Sequence, residues 1–195
     1  MKKVYHTRKT RVKRYGTELP TRYYENKRHR IKPLFLSPGE YARAIRSFVV
    51  VCVDALIVNR SKRTVFLAKR QAKPAQGIWW YIGGRVLAGE TFERSIVRCF
   101  ERETSLSVPM IRFEPANAQD FFWGMRQQRP QNAGLHSLGF VFSLELTEPE
   151  RRAVARSLDP HEYHVKSGLR EFSRRELVRE NVHPAVIETY DRIFS

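Results

Sequence analysis

A chain of 195 residues, 42% hydrophobic and 12% aromatic, has the material for a buried core and the length of about one domain. Its 36 Lys and Arg against 20 Asp and Glu leave a net charge of +16. That balance excludes an acidic disordered chain and points to a polyanionic partner: nucleic acid, a phosphorylated substrate or an anionic surface.

The charge is concentrated at the start. Residues 1–34 hold twelve Lys and Arg against two Glu, a net of +10, together with Tyr5, Tyr15, Tyr23 and Tyr24. Residues 1–36 therefore read as an extended basic arm. Such an arm can bind phosphate backbones with aromatic stacking, or it can be a solvated tail. No apolar region follows it, so it does not read as a secretory signal. A mitochondrial presequence is disfavoured by the lack of a clear amphipathic helix.

Residues 37–195 read as the folded domain. Ser37-Pro-Gly-Glu40 predicts a helix start, continuing to Ile45. Phe48 to Val58 is an apolar, β-branched run with Asp54 inside it, too short to span a bilayer and suited to a buried strand. Asn59 to Lys62 is turn-like, and Thr64 to Arg70 completes a hairpin. Gln71 to Gly77 is a loop, and Ile78 to Ile82 a strand ended by Gly83-Gly84. Residues 90–104 have helical spacing, with Phe92, Ile96 and Phe100 on one face. Ile111 to Trp123 and His136 to Leu146 read as strands around a polar loop. Glu148–Ser157 and Pro184–Phe194 read as helices. The mixture predicts an α/β or α+β domain. Cys52 and Cys99 read as buried free thiols, which suits a reducing, cytoplasmic setting.

Residues 78–106 carry the chemistry. Paired glycines after a strand bring backbone close to a ligand. The following helix puts residues 99, 102 and 103 on one face, since i, i+3 and i+4 neighbour one another. The spacing resembles the Nudix hydrolase family: Gly84, five residues, Glu90, seven residues, Arg98, then Phe100, Glu103 and Leu106 in place. Three positions depart from that pattern. Cys99 and Arg102 stand where helix glutamates belong, and Ser105 replaces a glycine.

The resemblance implies a Nudix-type α/β/α sandwich with a mixed sheet. Family members bind two or three divalent ions with clustered helix acids and attack phosphorus. This chain is similar to a branch lacking the same two acids, the GDP-mannose mannosyl hydrolases. The likeness runs through Ala44-Ile-Arg-Ser47, Asp54, Lys69-Arg70, Lys73-Pro-Ala-Gln-Gly-Ile-Trp79, Gly83-Gly-Arg-Val86 and Glu180-Asn-Val-His183. That branch implies attack by water at the anomeric carbon of a GDP-sugar, GDP-mannose or GDP-glucose, releasing GDP through an oxocarbenium-like state. Such a reaction calls for cations on the departing diphosphate and a base for the water.

Carried over by position, Arg98 and Arg85 contact the diphosphate. Arg70 holds the nucleotide or a phosphate, and Asp54 lies near the guanine or ribose. Glu103 and the Gly83 carbonyl bind one Mg²⁺ (or Mn²⁺), while Glu90 buttresses the loop. Glu162-Tyr-His164 makes His164 the candidate base, with His161 as substitute; Tyr163 stands where the branch has a metal-binding Gln. The branch also implies a homodimer. Two alternatives stay open. One is a catalytically impaired protein binding RNA or another nucleic acid through its arm. The other is an ordinary nucleoside-diphosphate hydrolase attacking phosphorus.

Overall fold

The computed structural model describes residues 31–195, so most of the basic arm lies outside the described residues. Helix α1 (Pro38–Ala44) starts where expected. The Ser37 hydroxyl accepts from the Glu40 backbone N–H while the Glu40 carboxylate accepts from Ser37, a reciprocal cap. The long apolar run becomes β1 (Val50–Asn59), and β2 (Thr64–Lys69) pairs with it antiparallel, as the hairpin reading requires.

The sheet has seven strands in the order β3-β2-β1-β6-β5, with β4 on β1 and β7 on β2. These are β3 (Trp79–Trp80), β4 (Ile82–Arg85), β5 (Phe113–Trp123), β6 (Leu135–Glu145) and β7 (Leu169–Phe172). β1 runs parallel to β6 and antiparallel to its other partners, so the sheet is mixed. One edge of β1 is shared: β2 pairs at Ile57–Asn59, and β4 pairs at Cys52–Ala55.

Alternation along β1 builds two cores. Val53, Ala55 and Ile57 face α2 (Phe92–Thr104) and α3 (Glu148–Ser157), where they meet Ile96, Cys99, Phe100 and Val154. Leu56 and Val58 face the opposite layer, α4 (Arg174–Arg179) and α5 (Pro184–Phe194), through Leu177, Val186 and Phe194. Burying a side chain such as Phe100 in the first core is worth about 1.5–3 kcal/mol. The result is the expected α/β sandwich. Among the described residues, no helix is long and apolar enough to cross a membrane.

Three local expectations are corrected. Gly83 and Gly84 do not end a strand. They lie within β4, paired with Asp54 and Val53, and the preceding apolar run is broken at Tyr81 into two short strands. The run changes partner there, from β2 on one side of Tyr81 to β1 on the other, and the Tyr81 hydroxyl bonds the Ala185 carbonyl at 3.0 Å and Thr189 at 2.9 Å, tying α5 to the sheet. β7 and α4 were missed, although Ser173 and Glu176 form a capping box at the spacing that announces a helix. Ser105 caps α2 at φ 54°, in the left-handed region. A glycine is free of strain there, which is the physical reason for the glycine of the family pattern.

Candidate active site

A cleft of about 330 Å³ opens over β1, β4 and β6. Even-numbered residues of β1 form part of its floor, Cys52 and Asp54 among them, with Ser137 and Gly139 of β6 beside them. Trp80, Phe121 and Trp123 supply an aromatic end, packed edge-to-face or stacked at 5.4–5.5 Å. The Gln71–Gly77 loop and the polar loop before β6 face each other across that end, joined by Lys73 Nζ donating to Gln131 at 2.5 Å. Two other depressions, beside Pro130 and along α5, are open and lie away from the glycine loop.

The opposite end is charged in both senses, with Asp54, Glu103 and Glu162 set among three arginines. Arg70, Arg85 and Arg102 all line it. Arg70 donates to Glu162 at 2.7 Å and lies 5.1 Å over the Tyr163 ring. Its buried Nε has no hydrogen-bond partner among the described residues. Arg85 is exposed, with its guanidinium 4.5 Å over the Tyr41 ring at the cleft rim. Asp54 is 9% exposed and its carboxylate makes no hydrogen bond among the described residues. Burial pushes its pKa up to about 7; Arg70 opposes the rise and Glu103 adds to it.

Glu103 sits beneath the glycine loop, 1% exposed. Tyr163, itself fully buried, donates its hydroxyl to one carboxylate oxygen. Arg102 donates to the other at 2.6 Å. Burial still raises the carboxyl above the usual carboxylate range, against Tyr163, Arg70 and Arg102. A Cβ added at Gly84 would lie 2.7 Å from the Arg102 guanidinium, so glycine is what lets that arginine reach across the loop.

Glu90 does buttress the loop. It accepts from Arg98 through Nε (2.6 Å) and Nη2 (2.7 Å), from Ser95 and from the Leu87 backbone. Arg98 spends its remaining reach on the Arg85 carbonyl at 2.9 Å. Arg98, expected at the diphosphate, does not line the cleft; its Nε and Nη2 face Glu90 and the loop backbone. Tyr163 is buried in the core as a hydrogen-bond donor.

His164 also leaves the cleft. Its backbone N–H bonds the Lys69 carbonyl beside the Arg70–Tyr163 bridge. His161, two residues after the Asp159 carboxylate that accepts from its backbone N–H, lines the cleft with Glu162. Of the two histidines considered for the base, His161 lines the cleft and His164 does not.

Nudix hydrolases generally work with divalent ions such as Mg²⁺ or Mn²⁺. The residues here do not fit the acid-clustered centre that such ions need. Among the described residues no group of three or more His, Cys, Asp or Glu side chains could hold a metal. Glu103, expected to bind Mg²⁺ with the Gly83 carbonyl, instead accepts from two donors, one of them a guanidinium. Burial raises the thiols Cys52 and Cys99 to about 12 and about 11, so neither is a thiolate ligand or nucleophile at neutral pH.

A split mixed sheet between helical layers, with a glycine loop feeding a helix beside an arginine-lined cleft, defines an α/β sandwich. The family model described as NUDIX domain matches residues 49–193, and the chain belongs to that family. The MutT NUDIX hydrolase of Burkholderia pseudomallei superposes with a TM-score of 0.58 at 22% identity, over 75% of this chain and 99% of that one. The NUDIX domain of Shewanella oneidensis NrtR, solved with ADP ribose, gives 0.52 at 14% identity, over 82% and 100%. At these identities the likeness is one of fold. The NAD-capped RNA hydrolase NudC of Haemophilus influenzae is 31% identical over 70 residues, 35% of this chain and 26% of that protein. The chain thus spans about a quarter of the curated relatives it matches.

Proposed function

We propose that this domain hydrolyses a nucleoside-diphosphate sugar, GDP-mannose or GDP-glucose, at the anomeric carbon to give GDP and free sugar. The observation that carries this reading is the inversion of charge at α2. One helix acid, Glu103, remains where the family pattern has several, and it is closed by Tyr163 and Arg102. Attack at phosphorus brings a nucleophile onto an anion and relies on clustered metal ions. Attack at the sugar carbon needs cations on the leaving diphosphate, which Arg70 and Arg85 supply. His161 takes a proton from water as the water oxygen bonds the anomeric carbon. The bond from that carbon to the β-phosphate oxygen breaks, and its electron pair leaves with GDP. No step in this reading runs through a metal ion.

Product analysis with GDP-mannose, in the presence of Mg²⁺, tests it. GDP and mannose are expected; GMP and mannose 1-phosphate would establish attack at phosphorus instead. His161→Ala is expected to slow turnover by about 10²-fold or more, with His164→Ala near wild type. A second reading is favoured by the +10 charge of residues 1–34. Described residue Ile31 lies against the loop before α2, its carbonyl 2.7 Å from a Cβ built at Gly89. In that reading the domain binds a nucleic acid without hydrolysing a nucleotide sugar. No turnover across a nucleotide-sugar panel, with salt-sensitive RNA binding lost on deleting residues 1–30, would establish it.

A further inference from the structure

Two positions far apart in the chain have changed in the same sense. Arg102 replaces an acid on α2, and Tyr163 stands where the branch resembled has a metal-binding glutamine. Both now donate hydrogen bonds to one carboxylate, Glu103, from opposite sides. The Tyr163 ring is also faced by the Arg70 guanidinium at 5.1 Å. Glu103 is therefore the anchor of a protein-made cationic centre. The hydrogen bond to Glu103 holds Arg102 in place, while half of that side chain stays exposed at the cleft.

We propose that the Arg102 guanidinium takes the place of the divalent ion, and that the cleft binds a diphosphate anion without metal. The inference rests on reading this cleft as a diphosphate site, not on which bond of the substrate breaks. Three features support it. A guanidinium 2.6 Å from the carboxylate repels a dication at that carboxylate by direct charge. The planar fork of Arg102 has five N–H donors, and Glu103 takes one of those at the end facing Gly84, leaving donors for phosphate oxygens. Arg70 adds a buried Nε with no partner at the same end of the cleft. A pinned arginine loses less side-chain freedom on binding than a free one, so the clamp is preorganised for its anion.

Titration of the wild-type protein with Mn²⁺ alone, followed by electron paramagnetic resonance, is expected to show no binding below millimolar concentration. Calorimetry with GDP, and separately with inorganic pyrophosphate, is expected to give affinities in EDTA and in Mg²⁺ that agree within about threefold. Arg102→Gln should weaken binding in EDTA about tenfold or more, and Arg102→Lys should recover part of that loss. In the double variant Arg102→Glu, Tyr163→Gln, Mn²⁺ binding should appear. Micromolar Mn²⁺ binding by the wild type would overturn the proposal. So would a tenfold loss of GDP and pyrophosphate affinity in EDTA, or no binding of either anion. Should the variants fail to fold on melting, the wild-type titrations decide alone. Pyrophosphate binding without GDP binding would retain the clamp and remove the nucleotide reading.

Discussion

Helix α2 carries two arginine–glutamate pairs, and they do opposite work. Arg98 and Glu90 make a bidentate pair with Ser95 and the Leu87 backbone as further donors. Every partner belongs to the loop or the helix start, and the pair faces no ligand. Arg102 and Glu103 lie one turn further on, joined by one hydrogen bond, with the arginine open to the cleft and the glutamate buried. The first pair holds a backbone shape. The second holds a charge in position. Both are ion pairs of the same residue types, so pairing alone tells nothing of role; what decides is where the unspent donors point.

The comparison can be broken at four places, the largest effect first. Glu90→Ala removes the acceptor of four hydrogen bonds, three of them from side chains, and should destabilise the fold by about 3 kcal/mol, read by denaturant melts. The same pair sets a pH dependence. Glu90 is held down to about 2, chiefly by Arg98, so its contribution is complete above the ordinary glutamate value of 4.5. It is lost as pH falls from there towards 2.

Asp54→Asn has the opposite sign. Its carboxyl, raised to about 7 by burial, is charged at the cost of stability above that pH. The substitution should raise stability at pH 8 by about 2 kcal/mol, with the gain vanishing below the ordinary aspartate value of 3.8. A neutral or destabilising Asp54→Asn would show that the carboxylate is paired in solution. Ser105→Gly relieves the left-handed cap at the end of the same helix and should stabilise by about 1 kcal/mol in thermal melts. Arg102→Ala comes last, within about 0.5 kcal/mol of wild type, because the pair is half in water on the arginine side. Its cost is expected in anion affinity, and a large loss of stability would assign it the role of Arg98.

Much of the first pair was legible in the sequence. Gly84, Glu90 and Arg98 recur at fixed spacing on one loop and helix, and local spacing translates directly into local geometry. The hairpin of β1 and β2 and the buried face of α2 were legible for the same reason. The second pair was only half visible. Arg102 and Glu103 are adjacent, but Tyr163 reaches Glu103 across sixty residues, and nothing local announces it. The two candidate histidines lie in that same segment. Once Tyr163 turns inward to the carboxylate, the residues beside it are re-aimed, and His161 rather than His164 meets the cleft. β7 and α4 were missed because short elements carry little periodicity, although the Ser173 and Glu176 cap was there to be read. The orphan Nε of Arg70 has no sequence signal at all, since it depends on burial.

The aromatic end of the cleft gives the molecule a built-in optical reporter. The chain has three tryptophans, Trp79, Trp80 and Trp123, and two of them line the cleft while the third packs on Phe172. Indole emission shifts with the polarity around the ring. A ligand that displaces water from Trp80 and Trp123 should therefore change the intrinsic fluorescence of the unlabelled protein. Anions confined to the arginine end should leave that emission nearly unaltered, so a single spectrum distinguishes occupancy of one end of the cleft from occupancy of both.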